Sequence, residues 1–100
     1  MLPFERLQKL NTNENLWIYI LSLLKEREIY GWEIRSLTEK KFNFRPGLIT
    51  PYRVLYRLEK EGFVKSKIKD RKRFYQITEK GKKELEKAKK FYQEILTKIW

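Results

Sequence analysis

The sequence predicts a small, mainly α-helical domain that carries one β-hairpin. Apolar residues recur at helical spacing in residues 13–28, 31–41, 51–61 and 79–100. Residues 63–77 instead alternate between polar and apolar side chains around a charged tip, as the two strands of a hairpin do. Three helices, a basic hairpin and a final helix, in that order, are the layout of a winged helix-turn-helix domain.

The amino-acid composition excludes several classes of function. One hundred residues suffice for one domain. The chain has no cysteine and no histidine, which excludes disulfides, thiolate nucleophiles, Cys/His zinc sites and a histidine base. We therefore expect no metal, no cofactor and no enzymatic activity. Without a signal-like N-terminus or an apolar run of about 18 residues, we expect a cytoplasmic protein that does not enter a membrane.

The N-terminal third contains a short segment and a long helix. Residues 1–12 carry leucines at roughly helical spacing and form either a short helix or an arm lying on the domain. Residues 13–28 form a helix for which Asn13 is a plausible N-cap. Its apolar stripe is broader than a surface helix needs, so we expect burial against both its own domain and a partner. The stripe consists of Leu16, Trp17, Ile20, Leu21, Leu23 and Leu24.

The second helix, residues 31–41, follows a break at Tyr30-Gly31 and places Trp32, Ile34 and Leu37 on its inner side. A loop from residue 42 to 49 contains the turn signal Pro46-Gly47.

The third helix, residues 51–61, has Thr50 as its expected N-cap and Pro51 at the first helical position, where a missing N–H costs nothing. Gly62 ends it. Beyond it, the hairpin strands are joined by a tip at Lys69, Asp70, Arg71 and Lys72.

The last helix is capped by Thr78 and runs to the C-terminus. Leu85, Ala88, Tyr92, Ile95 and Ile99 recur at spacings of three and four, a heptad seam. Such a seam either folds back on the chain's first long helix or pairs with a symmetry mate, and we favour a homodimer. Residues 1–78 would then form the winged helix-turn-helix domain, and residues 79–100 the dimerisation helix of the same compact unit. The predicted interface comprises Leu16, Trp17, Ile20, Leu85, Ala88, Tyr92, Ile95, Leu96 and Ile99.

Positive charge is concentrated in one third of the chain. Twelve of the 24 cations but only three of the 13 acids lie between Lys40 and Arg73, a net charge of +9 against +2 for the rest. A basic footprint on a helix and a hairpin is typical of nucleic-acid binding. The plainer alternative is a solvated surface on which, for example, Arg57 pairs with Glu61.

The partner predicted from this footprint is double-stranded DNA. On the third helix, the side opposite Val54, Leu55 and Leu58 carries arginines and tyrosines. The arginines can make bidentate hydrogen bonds to guanine or phosphate, and the tyrosine hydroxyls can donate to phosphate. The hairpin would supply phosphate or minor-groove contacts. The predicted DNA-binding residues are Arg45, Thr50, Tyr52, Arg53, Tyr56, Arg57, Lys60, Lys67, Lys69, Arg71, Lys72 and Arg73.

Three motifs resemble those of the PadR-type transcriptional regulators. They are Tyr30-Gly31-Trp32-Glu33-Ile34, Thr50-Pro51-Tyr52 with the following Leu55-x-Arg57-Leu58-Glu59-x-x-Gly62-Phe63-Val64, and Arg71 to Gly81. The chain departs from the family pattern at Ile49, usually glycine, and at Pro51, usually leucine.

The resemblance implies a dimeric repressor that binds a palindrome-like operator, dimerises through its C-terminal helix, and uses Tyr52 with its helix face and the hairpin 65–73 on DNA. Some members bind small planar effectors, but nothing in this sequence identifies one. Two other functions stay open, a protein-interaction module and a non-specific architectural DNA-binding protein.

Overall fold

The structure, a computed structural model, describes all 100 residues and confirms a mainly helical fold with a small antiparallel sheet. No helix in it is long and apolar enough to span a membrane. The elements are α1 (Pro3–Leu10), a 3₁₀ turn (Asn13–Asn15), α2 (Leu16–Glu26), β1 (Ile29–Tyr30), α3 (Glu33–Phe42), α4 (Thr50–Lys60), β2 (Val64–Lys69), β3 (Lys72–Ile77) and α5 (Glu79–Ile99).

The sheet has three strands, in the order β1-β3-β2, rather than the two of a hairpin alone. Ile29 pairs with Tyr75 and Tyr30 with Phe74, and the N–H of Gly31 donates to the carbonyl of Arg73 at 3.1 Å. From the sequence, residue 28 is expected to be helical and Tyr30 to mark a break, because a strand of two residues shows no alternation. β1 ties the start of α3 to the hairpin.

Helix α2 is the centre of the hydrophobic core. Its buried residues, Leu16, Ile20, Leu21, Leu23 and Leu24, pack with residues of α3, α4 and the sheet. The prediction that Leu16 and Ile20 contact a partner subunit is wrong, since they are 2% and 0% exposed within one chain. The chain's own elements cover α2 on several sides, and of the stripe only Trp17 stays half-buried.

The start of α2 also differs from the expectation. Asn13 begins a 3₁₀ turn and makes no cap, and α2 starts only at Leu16. Local polar bonds fix this turn: the side chain of Asn15 donates to the carbonyl of Leu10, and the Tyr19 hydroxyl donates to the carbonyl of Asn11 at 2.5 Å. The segment before it is a helix, α1, with no buried residue.

Helix α5 starts as predicted, with the Thr78 hydroxyl accepting a bond from the N–H of Gly81 at 3.1 Å. The same hydroxyl donates to the carbonyl of Gly62 at 2.6 Å, which joins the end of α4 to the start of α5. Gly81 is buried and leaves no room for a side chain, since a Cβ would collide with the Phe63 carbonyl. The first half of α5 is thus seated firmly on the domain.

Candidate nucleic-acid interface

Helix α4 begins one residue earlier than predicted. Its N-cap position is Ile49, and Thr50 is the first helical residue, with no side-chain capping bond. The Ile49 carbonyl accepts from the N–H groups of Tyr52 and Arg53 at 3.0 and 3.3 Å, so the backbone starts the helix without a hydroxyl cap. The prediction of a Thr50 cap is therefore wrong. Pro51 lies in the first turn, as expected.

The two sides of α4 divide as the sequence indicates. Leu55 and Leu58 are buried on the core side. Arg53, Tyr56, Arg57 and Lys60 are exposed on the other sides of the helix. The seven ion pairs of the structure include none of the three cations of this set, so the alternative pairing of Arg57 with Glu61 does not form. Their charge is available to an external anion.

Tyr52 lies half-buried where α4, α3 and the sheet meet. Its ring packs edge-on against Trp32, with centroids 5.8 Å apart and planes at 73°. Burial raises the pKa of its phenol, and the nearby phenols of Tyr30 and Tyr75 raise it further. The hydroxyl therefore stays protonated at physiological pH and can donate to an anion.

The hairpin turn is tighter than the predicted four-residue tip. Lys69 pairs with Lys72 across the strands, leaving only Asp70 and Arg71 between them. Both turn residues have positive φ, 50° and 65°, as a two-residue type I′ turn requires. Arg71 and Lys72 are exposed and form no ion pair.

Two hairpin lysines have an acidic partner that the sequence did not indicate. Glu28, placed beside the sheet by β1, lies 3.8 Å from the Lys67 ammonium and 3.3 Å from that of Lys69. The Lys69 ammonium also lies 5.3 Å from the centroid of the Phe74 ring. Both lysines are about half exposed, so water weakens these pairs, but the pairs still offset part of the hairpin's charge. The tip carries the more accessible cations.

Arg73 joins the hairpin to α4 through a relay of hydrogen bonds. Its guanidinium donates to the Ser66 hydroxyl at 2.9 Å, and that hydroxyl donates to the Glu59 carboxylate at 2.6 Å. Sequence reasoning missed this relay because alternation shows the face of a strand but not the helix that it meets. The relay fixes the position of the hairpin relative to α4.

The cleft between the first turns of α3 and α4 was not predicted. Trp32, expected in the core, is 61% exposed at its edge, because Ile34 and Thr38 fill the inner side of α3. Arg45 also lines this cleft and is held by an ion pair to Glu39. The cleft measures about 110 Å³. Its lining residues are Gly31, Trp32, Arg35, Ser36, Arg45, Leu48, Pro51 and Tyr52.

Besides Leu16 and Ile20, which are buried in the core, the residues predicted for a dimer interface fall into a covered group and a partly exposed group. Ala88 is buried by its own chain and Leu85 packs on the core. Trp17, Tyr92 and Ile95 are half-buried, and Leu96 and Ile99 are 60% and 64% exposed. These last five line an apolar groove of about 1080 Å³ between α1, α2 and the outer half of α5.

Comparisons with known proteins agree with the motif resemblance. The profile of the transcriptional regulator PadR-like family matches residues 20–87. A transcriptional regulator from Clostridium thermocellum is 30% identical, with a TM-score of 0.76 over 84% of this chain and 88% of that one. A PadR-like transcriptional regulator from Bacillus cereus is 28% identical, with a TM-score of 0.74 over 92% of both chains.

Bacillus subtilis PadR, solved in complex with operator DNA, is 29% identical with a TM-score of 0.64. The match covers 73% of this chain and 46% of that one. No functionally curated protein sequence matches the chain significantly. The resemblance predicted from the three motifs is confirmed by the family profile.

Proposed function

The chain belongs to the PadR-like family of transcriptional regulators, and we propose that it is a homodimeric repressor that binds a specific DNA operator. As a member of a family of regulators, it is not an enzyme. A regulator that binds an operator acts on genomic DNA, so the proposal includes a cytoplasmic location.

The observation that carries the proposal is the set of free cations on α4. Arg53, Arg57 and Lys60 are exposed on one helix with no carboxylate partner. Arginine on an exposed helix can read guanine in the major groove by a bidentate contact, and a tyrosine hydroxyl can bind phosphate. We assign α4 to the major groove on this basis.

The hairpin is assigned the part of a wing beside that groove. Its two-residue turn presents Arg71, next to Lys72, at the far end of the sheet. Cations on such a ribbon contact phosphates or the minor groove and add affinity more than sequence preference. Since Lys67 and Lys69 face Glu28, we expect Arg71 and Lys72 to contribute more to DNA affinity than these two lysines.

Dimerisation is proposed from the apolar surface that one chain leaves uncovered. The outer half of α5 and the whole of α1 expose large apolar side chains to solvent in one chain. A second copy related by two-fold symmetry would cover this surface and set two α4 helices about 34 Å apart, one turn of B-DNA. The operator would then be a palindrome-like site. The most exposed apolar side chains of these elements are Leu2, Phe4, Leu7, Phe91, Leu96, Ile99 and Trp100.

The proposal is tested by selecting bound fragments from genomic DNA and measuring their affinity by fluorescence anisotropy over a range of salt. We expect Arg53→Ala to reduce the preference for the selected site over a shuffled one. Lys72→Ala should weaken both DNAs alike and lower the salt slope by about one. Lys90→Ala removes an equal charge from the outer side of α5, away from α4 and the hairpin, and serves as the control.

The results of these binding measurements distinguish specific DNA binding from protein docking and from architectural DNA binding. No binding to any duplex at low salt would rule out DNA binding and leave protein docking through the basic face. Equal affinity for selected and shuffled DNA would indicate architectural binding. A reporter placed behind the selected site should lose transcription when the protein is present, and a gain would show an activator.

A further inference from the structure

The cleft between α3 and α4 combines an exposed aromatic residue with guanidinium groups and lacks any acid. Among its eight lining residues, two are arginines and none is aspartate or glutamate. Trp32, at the edge of this cleft, was expected in the core, and Arg35 was given no role. This cleft adjoins the first turn of α4, so a ligand that contacts α4 passes close to it.

Trp32 is both exposed and firmly placed. Its indole is 61% exposed, yet its ring packs against Tyr52. Gly31 lets the backbone before Trp32 lie close to the sheet, because a Cβ there would be only 3.2 Å from the ring of Tyr75. A flat apolar surface held rigid in solvent suits a ligand with an apolar face.

The two arginines of the cleft differ in whether a carboxylate pairs with them. Arg45 is paired with Glu39. Arg35 donates its Nε to the carbonyl of Pro46 at 2.9 Å and has no carboxylate partner. This bond fixes Arg35 against the loop that leads into α4. No carboxylate offsets the positive charge of the Arg35 guanidinium.

We propose that this cleft binds a phosphate of the DNA backbone through Arg35 and the adjoining deoxyribose through the indole of Trp32. The inference rests on the proposed function and adds a backbone contact beside the groove that α4 enters. Contacts of this kind fix the register of a protein on the duplex and carry no sequence information themselves. The cleft thus sets how α4 is placed over its bases.

Tryptophan fluorescence tests the indole contact directly. The chain has three tryptophans, so the Trp32 emission is obtained as the difference between the unaltered protein and a Trp32→Phe variant, both of which keep Trp17 and Trp100 in the apolar groove. With labelled operator DNA, we expect the Trp32 emission to change and to saturate at the same DNA concentration as the anisotropy. Saturating anisotropy with unchanged Trp32 emission would overturn the indole contact. Absence of any anisotropy change in the unaltered protein would instead refute the proposed function.

The phosphate contact is tested by the salt dependence of binding. Arg35→Ala should weaken binding roughly tenfold near physiological salt and lower the salt slope by about one, equally for selected and shuffled DNA. Arg35→Ala also removes the bond to Pro46, and a loosened loop alone would weaken binding without changing the slope. An unchanged slope therefore contradicts the proposal.

Two further variants complete this experiment. Arg35→Lys keeps the charge but not the fixed guanidinium, so its slope should match that of the unaltered protein. Lys40→Ala removes a charge from the same helix outside the cleft and should leave the slope closer to the original than Arg35→Ala does. A Lys40→Ala slope as low as that of Arg35→Ala would show that general charge, not the cleft, is responsible.

Discussion

The two halves of α5 share one apolar seam but have opposite surroundings. In the first half, Gly81 and Ala88 are buried and Leu85 packs on the core. In the second half, Tyr92 and Ile95 are only half-buried, and Phe91, Leu96 and Ile99 are 61%, 60% and 64% exposed. Trp100, directly after the helix, is 90% exposed. A single heptad pattern therefore predicts burial in both halves, while one chain buries only the first.

We infer from this contrast that the two halves of α5 have different roles. The first half anchors the helix to α2 and to the start of the hairpin, and the second half carries the same apolar pattern past the end of the domain. Exposed apolar surface of this extent indicates an interaction site. Changes in the first half should thus alter folding, whereas changes in the second half should alter assembly.

The largest expected effect is that of Gly81→Val in the anchored half. A Cβ at this position would collide with the Phe63 carbonyl and come within 2.8 Å of the Ile77 side chain. Backbone cannot yield as a flexible side chain can, so we expect a loss of about 3 kcal/mol or more in the free energy of unfolding. Urea denaturation measures it. A loss below about 1 kcal/mol would mean that the start of α5 is not seated as described.

The next effect is that of Leu96→Glu/Ile99→Glu in the outer half. If the protein dimerises through this half as proposed, two carboxylates on the apolar side of outer α5 should leave it monomeric at concentrations where the unaltered protein dimerises, since burying unpaired charge is costly. Light scattering coupled to gel filtration measures the mass. Thr97→Glu is the control, because this residue lines a different, polar part of α5. If the control alone dissociates the protein, the seam is not the interface.

A smaller effect is expected at the boundary between the halves. The Tyr92 hydroxyl donates to the side chain of Asn11 at 2.9 Å, and the Tyr19 hydroxyl donates to the Asn11 carbonyl at 2.5 Å. Tyr92→Phe removes one of these bonds and should cost about 1 kcal/mol of stability. The substitution should then accelerate amide hydrogen exchange more in α1 than in α4. Equal acceleration in both helices would contradict a boundary role.

The smallest effect concerns alkaline pH. Burial raises the pKa of Tyr19, and the nearby Tyr92 raises it further. A phenol whose folded pKa exceeds its unfolded value near 10 adds stability that is complete below pH 10 and disappears as pH rises through the folded pKa. Tyr19→Phe should therefore lose less stability than the unaltered protein between pH 9 and 11. Parallel urea midpoints for the two proteins over this range would contradict the assignment.

The sequence was most informative about single helices and strands. The Thr78 cap of α5, Gly62 at the end of α4, the hairpin and the cationic side of α4 follow from periodicity and local chemistry, which depend on neighbouring residues. Sequence reasoning was wrong for Trp32, Leu16 and Ile20. Periodicity shows that one face of a helix is apolar. The element that covers this face is set by residues distant in the chain.

The same limit explains what was missed in the candidate site. Glu28 meets Lys69 across 41 positions, and the Glu59–Ser66–Arg73 relay joins a helix to both strands of the hairpin. Arg35 and Trp32 line a cleft only because β1 pulls Gly31 against β3. No spacing in the sequence marks such contacts, since each needs two elements already docked.

The amino-acid sequence alone determined the order of elements, the excess of cations between Lys40 and Arg73 and the family, because these depend on composition and on residues near one another. Only the tertiary structure decided which of those cations are free, which half of the seam is covered and where Trp32 lies. Those outcomes depend on packing between distant segments, and packing decides which polar and apolar groups remain in contact with water.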